Sequence, residues 1–260
     1  MSRDIAMTPP LHLRVPPRLV AALVAFVSLL AIWHVMSLNF RPWVPDIGST
    51  LLAMEAQLGS TAFWSNFFLT LGRVLSAFIA ATLAGSAIGL FIGLNKRAEA
   101  FFQPLLALAL AVPDPVYIIF AILALGTGEA AGFVALTVAV APFVANIVRS
   151  NVQARDHDLD QMAQIYHLPR HVRLWTVLAP QLVPALLTAM RFSFALSWKL
   201  VVVVEAIGQP DGIGAQIFKS FRLLRMRDVA AVAIIFIIAM QLMERGVLGR
   251  LEKRLLHWRN

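Results

Sequence analysis

The chain has 260 residues, of which 59% are hydrophobic and 14% charged, against about 25% charged in an average soluble domain. This composition excludes disorder, collagen-like repeats and an ordinary cytosolic enzyme, and the lack of any cysteine excludes a disulfide scaffold, a thiol nucleophile and a cysteine-ligated metal centre. The net charge of +8 is spread between long uncharged apolar runs, so it reads as charge flanking a bilayer and not as a nucleic-acid surface.

A helix needs about 20 mostly apolar residues to cross the hydrocarbon. Six stretches qualify: 19–40; 74–95; 101–125, broken only by Pro113-Asp114-Pro115; 130–148; about 180–207, which carries Arg191, Lys199 and Glu205; and 229–248, with Glu244 and Arg245 near its end. The expected fold is therefore all-α: a polytopic membrane protein of about six transmembrane helices. Residues 1–18 and 252–260 form tails on either side of a membrane domain spanning 19–251. The first stretch is long, contains Trp33 and His34 and lacks a small-x-small cleavage site, so it is expected to be retained and not cleaved as a signal peptide.

Orientation is set by the excess of basic residues on the cytoplasmic side. With the N-terminus inside, the inner segments hold fourteen Lys and Arg residues and the outer segments five: Arg41, Lys219, Arg222, Arg225 and Arg227. Both termini are thus expected inside. The outer basic cluster of Lys219, Arg222, Arg225 and Arg227 reads as a binding-protein surface, as plain solvation, or as an attractor of anions at the mouth.

The second stretch sets Ala77, Ala81, Gly85, Gly89 and Gly93 four apart, a small-residue face that lets another backbone approach closely. Packing within the subunit and packing across a subunit interface both fit. The polar segment 149–173 is too long for a turn. In it Leu159, Met162, Ala163 and Tyr166 keep helical spacing, opposite Asp156, Asp158, Asp160 and Gln164, which describes either a solvated loop helix or a docking helix for a partner's groove.

This segment resembles the cytoplasmic loop of the inner-membrane permease subunits of ATP-binding cassette importers that use a binding protein. The family pattern is Glu-Ala-Ala, three residues, Gly, nine residues, Ile-x-Leu-Pro. Here it reads Gln161-Met162-Ala163, three residues, His167, nine residues, Val177-Leu178-Ala179-Pro180. The spacing is kept, while Gln161, His167 and Ala179 depart from the family residues. The nitrate, sulfonate, taurine and bicarbonate branch is similar from about residue 66 to the end. Thr70-Leu71-Gly72-Arg73, Gly126-Thr127-Gly128-Glu129, Pro184 to Arg191, Glu205 with Asp211-Gly212-Ile213-Gly214 after it, and Leu251 to Trp258 each look like a family segment in the family's order.

The resemblance implies a permease in the bacterial inner membrane that pairs with a second permease subunit, as a homo- or heterodimer. The helix around Asp158, Leu159, Gln161, Met162, Ala163, Tyr166 and His167 would seat in a cytoplasmic ATP-binding cassette ATPase, and an extracytoplasmic solute-binding protein would deliver a small anionic solute. ATP and Mg would be held by the ATPase, with no cofactor in this chain; in keeping with that, the sequence has no Gly-x-x-x-x-Gly-Lys-Ser/Thr loop. His167 in place of Gly is expected to crowd the turn after the helix.

Ionisable residues inside spans are costly and are candidates for the transport path: Asp114, Arg191, Lys199 and Glu205. Arg191 and Glu205 are fourteen residues apart, about 21 Å along a helix, too far to pair; they snorkel or tie helices together. Lys199 meets an anionic substrate or is neutralised by Asp114. His167 and His171 have a metal-like spacing, but Pro169 between them opposes a continuous helix, so no metal site is expected. An intramembrane enzyme lacks its motifs here, and a stand-alone secondary transporter or channel is the remaining rival.

Overall fold

A computed structural model of the chain describes residues 17–250 and Arg254; most of both expected tails, and all but Arg254 of the family-like segment Leu251 to Trp258, lie outside the described residues. Among the described residues every regular element is helical. Helix α1 (Pro17–Asn39) begins with a proline, whose missing N–H costs nothing at the first helical position. The Trp33 indole ties it to the outer loop by donating to Pro45 O at 2.9 Å. Asp46 then caps the short outer helix α2 (Ile47–Leu58), and Ser60 caps α3 (Thr61–Leu94).

Helix α3 has 34 residues, about 51 Å at 1.5 Å per residue, so it starts well before the expected span at residue 74 and overshoots the hydrocarbon. Asn95 ends it and caps α4 (Lys96–Ala111) by accepting from Arg97 N at 3.0 Å. The third span is broken where Pro113-Asp114-Pro115 predicts: α4 and α5 (Asp114–Leu125) meet at 94°. Pro113 cannot donate to Ala109 O, the carbonyl four residues back. The Tyr117 hydroxyl donates to that carbonyl instead, at 2.7 Å.

Gly126 and Gly128, both at positive φ, turn the chain into α6 (Glu129–Gln153). The cytoplasmic helix α7 (His157–Ile165) comes next. The chain re-enters through α8 (Arg170–Arg173), a π-helical turn (Leu174–Leu178) and α9 (Ala179–Gly208), apolar and helical from His171 to Gly208. Pro180 and Pro184 lie near the start of α9, and Pro180 N cannot reach Thr176 O, so the ladder is already interrupted beside the π turn. Helix α10 (Ile213–Arg222) is a short outer helix, and α11 (Met226–Met243), continued by a π turn over Glu244–Leu248, returns to the inner side. Five helices are long and apolar enough to cross a membrane, and they number six when the bent pair is taken as one broken span.

The core sits where α3, α6 and α9 pack. The small-residue face of α3 is spent inside the subunit. A Cβ on Gly85 would lie 2.6 Å from Ala141 O, one on Gly89 2.5 Å from Ala145 O, and one on Gly93 2.8 Å from Val152 Cβ, all on α6. Between α9 and α11, Trp198 stacks on Phe236 with ring centroids 4.6 Å apart. Helix α1, by contrast, is largely exposed along its length.

Candidate functional site

Two polar constructions stand at opposite ends of the bundle. On the cytoplasmic side, Asp156 caps α7 by accepting from Asp158 N at 2.8 Å. The helix ends at His167, which has φ 52. Its N–H donates to Gln164 O at 2.9 Å and the Leu168 N–H to Ala163 O at 3.0 Å, the paired bonds of a Schellman cap. His167 thus occupies the left-handed position that the family's glycine would fill. The turn keeps its form, and the crowding expected of His167 becomes backbone strain at one residue.

The apolar face of α7 divides. Ala163 is buried at 3% exposure, while Leu159, Met162, Ile165 and Tyr166 remain exposed. Ala163 therefore anchors the helix instead of joining the exposed stripe. Ile165, which the spacing argument did not include, extends that stripe. Asp158 and Gln161 are exposed. Asp160, expected on the solvated face, is turned inward: it accepts from Arg155 at 3.0 Å and pairs with Arg173 at 3.3 Å. Burial pushes its carboxyl up, and these two guanidinium contacts outweigh that and hold it below the ordinary aspartate value. The charge triplet fastens α7 to the end of α6 and to α8. Between α7 and the start of α9 lies an apolar groove of about 720 Å³, floored by Ala163, Val177 and Pro180 and rimmed by Leu159, Met162 and Tyr166.

At the outer end, Arg73 of α3 spends all five guanidinium N–H groups on one cluster. Nε donates to Glu129 at 3.0 Å; Nη1 donates to Glu205 Oε1 at 2.7 Å and Asp211 O at 3.0 Å; Nη2 donates to Asp211 Oδ1 at 2.6 Å and also to Glu129. Glu205, wholly buried, further accepts from Thr70 Oγ1 at 2.8 Å and from Gly214 N at 2.8 Å. The Thr70 hydroxyl in turn accepts from Ile213 N at 2.9 Å. Gly212 has φ 101, and a Cβ there would collide with the Glu205 carboxylate. Around this centre Gln209 donates to Gly128 O at 2.6 Å. Four segments separate in sequence, Thr70–Arg73, Gly128–Glu129, Glu205 and Asp211–Gly214, are one network.

The four intramembrane candidates are not brought together. Glu205 faces no open path: it ties α9 to α3. Arg191 pairs with Glu244 at 3.3 Å, joining α9 to the end of α11. Asp114 is half-buried at the first residue of α5, where the helix dipole favours a negative charge. Lys199 is exposed, and Asp114 does not neutralise it: among the described residues no ion pair joins them. Geometry explains this. Gly208 of α9 faces Ile122 of α5, and Lys199 lies nine residues earlier, half a turn round the helix. Of the outer basic cluster, Arg227 lies 3.8 Å from Asp228, and Lys219 and Arg222 line a half-open outer pocket of about 460 Å³ with Asn66, Gln209 and Gln216. Among the described residues no group of three metal-ligating side chains forms.

Five helices apolar and long enough to cross a membrane, a bent apolar pair and a short polar helix held by ion pairs make a multi-pass membrane protein. Residues 81–256 match the family model described as the binding-protein-dependent transport system inner membrane component, and the chain belongs to that family: it is the permease subunit of an ATP-binding cassette importer, resident in the bacterial inner membrane. It is 27% identical to the taurine transport system permease protein of Escherichia coli (strain K12), over 88% of this chain and 86% of that one. Identity is 25% to the putative aliphatic sulfonates transport permease protein of Bacillus subtilis (strain 168), covering 89% of this chain and 85% of the relative. It is also 25% to the nitrate import permease protein of Synechocystis sp. (strain ATCC 27184 / PCC 6803 / Kazusa), covering 94% and 89%. A chain from the crystal structure of an amino acid ABC transporter with histidines shares the fold with a TM-score of 0.61 at 21% identity, over 74% of this chain and 94% of that one.

Proposed function

We propose that this chain forms, with a second permease subunit, the membrane pathway for a small anionic solute of the sulfonate, taurine, nitrate or bicarbonate kind, delivered by an extracytoplasmic binding protein. A separate cytoplasmic ATPase holds ATP and Mg and drives the cycle; this chain hydrolyses nothing and carries no cofactor. The observation that supports the coupling is helix α7: an exposed stripe of Leu159, Met162, Ile165 and Tyr166 on a helix that Asp160 fastens to α6 and α8. A surface apolar enough to need a partner is thus joined rigidly to the membrane helices. A push on α7 is passed through these ion pairs to the end of α6 and to α8, which continues through the π turn into α9, and the helices rock between inward-open and outward-open states. The relatives named for taurine, sulfonates and nitrate support the solute class.

The test is co-purification and ATP turnover of the membrane complex in nanodiscs, comparing the native chain with Met162→Asp and Tyr166→Asp, two exposed positions where the fold itself tolerates a charge. Burying that charge against a partner costs about 2–3 kcal/mol, so both variants are expected to lose the ATPase while inserting normally. Retained assembly with unchanged ATP turnover would instead mean that α7 is not where the ATPase docks.

A further inference from the structure

Lys199 sits on a face of α9 that the fold leaves open. Thr188, Arg191, Ala195 and Lys199 recur every three or four residues and are exposed or half-buried, whereas Ala189, Ser193, Ser197, Val201 and Gly208 on the other side are buried; beyond Lys199 the same face is covered at Val202, where Gly214 of α10 packs on the α9 backbone. Lys199 lies nine residues below the outer end of α9 at Gly208, about 14 Å of helix, farther than its own stem reaches. It therefore cannot snorkel to the outer interface, and an ammonium turned toward acyl chains at that depth is strongly disfavoured.

The neighbouring helix offers a second polar group at the same depth. Helix α6 runs antiparallel to α9: Gly132 abuts Val204, and the rings of Phe143 and Phe192 stand 5.7 Å apart. Between those two contacts Thr137 comes level with Lys199, and its buried hydroxyl has no hydrogen-bond partner. Arg73, by contrast, is saturated by carboxylates, and Arg191 is paired with Glu244.

We propose that this face of α9 lines the solute path and that Lys199 is the site at which the anionic group of the solute is held midway across the membrane. The inference rests on the anionic-solute reading above and assigns the residue that would recognise the charge. An ammonium is a compact point charge with three rotatable donors, suited to sulfonate or nitrate oxygens presented from changing directions during passage.

The chain has no cysteine, so Ala195→Cys, one turn before Lys199, is a single reporter in the assembled complex. It is treated in nanodiscs, with and without ATP, with a sulfonate-bearing and a trimethylammonium-bearing methanethiosulfonate, and the rates are normalised to a free thiol. The ratio of the two rates cancels any effect of Lys199 on thiolate formation. The sulfonate reagent is expected to react faster by roughly fivefold or more. That preference should vanish when Lys199→Gln is added and survive Lys199→Arg, with insertion of each variant checked first. No labelling in either nucleotide state, labelling without charge preference, or a preference that persists in Lys199→Gln each overturns the proposal.

ATP-driven uptake of taurine, an aliphatic sulfonate, nitrate and bicarbonate by the same complex separates the two levels. Uptake that drops with Lys199→Gln and is restored by Lys199→Arg supports both. A charge preference with none of the four transported leaves the site standing and overturns the solute class. Uptake untouched by Lys199→Gln does the reverse.

Discussion

Arg73 and Glu205 are 132 residues apart in sequence and meet at 2.7 Å, between α3 and the outer end of α9, with the Glu205 side chain wholly buried. An ion pair removed from water adds stability only when its remaining donors and acceptors are also satisfied. Here they are: Thr70 and Gly214 complete the carboxylate, and Glu129 and Asp211 complete the guanidinium. Removing one partner strands the other. Arg73→Met should therefore cost about 3–5 kcal/mol of fold stability, read as a fall in unfolding temperature in detergent. The double variant Arg73→Met with Glu205→Met should recover part of that loss. A double variant that is worse by the sum of the single losses would mean that the pair itself is not the unit that matters.

Close packing, in this network and between α3 and α6, makes a sharp distinction among glycines. Gly212 has φ 101 and no room for a Cβ beside Glu205, and Gly89 has Ala145 O at 2.5 Å. Gly72, one residue before Arg73 in the middle of α3, has nothing within 4 Å. Gly212→Ala and Gly89→Ala should each destabilise, since backbone on one side and a fixed carboxylate on the other cannot yield. Gly72→Ala should stabilise α3 by roughly 0.5–1 kcal/mol, the helix-propensity gain of alanine over glycine. Unfolding midpoints of the three variants, measured side by side, test the assignment of these close approaches.

How much of this is legible in the sequence depends on whether the cause is local. Bilayer thickness fixes span length, so six crossings can be read from the apolar runs, and Pro113 and Pro115 mark the break in the third. The 94° angle at that break depends on packing and has no local signal. The charge-free run begins at residue 74 because Arg73 interrupts it; with three acids around it the arginine is accommodated, and the helix begins at Thr61. Its partners at separations of 56, 132 and 138 residues cannot be read from spacing. The clue is that the Thr70–Arg73, Gly128–Glu129 and Glu205–Gly214 segments each carry a charge inside or beside a span. On α7 the period shows one apolar face; it cannot show that Ala163 faces the protein and Ile165 the solvent.

The end of α7 gives a gain-of-stability test. His167 holds φ 52, a conformation that costs an L-residue roughly 1–2 kcal/mol and glycine little. His167→Gly should therefore raise the stability of the α7 turn by about 1 kcal/mol and slow amide exchange at Leu168, whose N–H bonds to Ala163 O. On the proposed coupling role of α7, the gain should leave ATPase binding in place, because the exposed stripe of Leu159, Met162 and Tyr166 is untouched. Faster exchange at Leu168 would mean that the imidazole contributes a contact worth more than the backbone strain.

Asp160 carries the pH dependence of the attachment of α7 to the bundle. Burial raises its carboxyl, but Arg155 and Arg173 favour the ionised form more strongly, so its folded-state value lies below the ordinary one of 3.8. A depressed carboxylate contributes stability that is fully present above the unfolded value and is lost as pH falls toward the folded one. The attachment of α7 should thus be constant from about pH 5 to 8 and loosen only below about pH 4. Asp160→Asn removes the charge at every pH while keeping the shape, and should weaken the attachment of α7 by about 1.5–3 kcal/mol, the range for hydrogen bonds to a charged group. Limited proteolysis of the 149–173 segment from about pH 2 to 8, with an acid protease at the low end, reads both effects. The native chain should become sensitive only at the acid end, and Asp160→Asn throughout. A variant as resistant as the native protein at pH 7 would mean that Ala163 and the groove alone hold α7 in place.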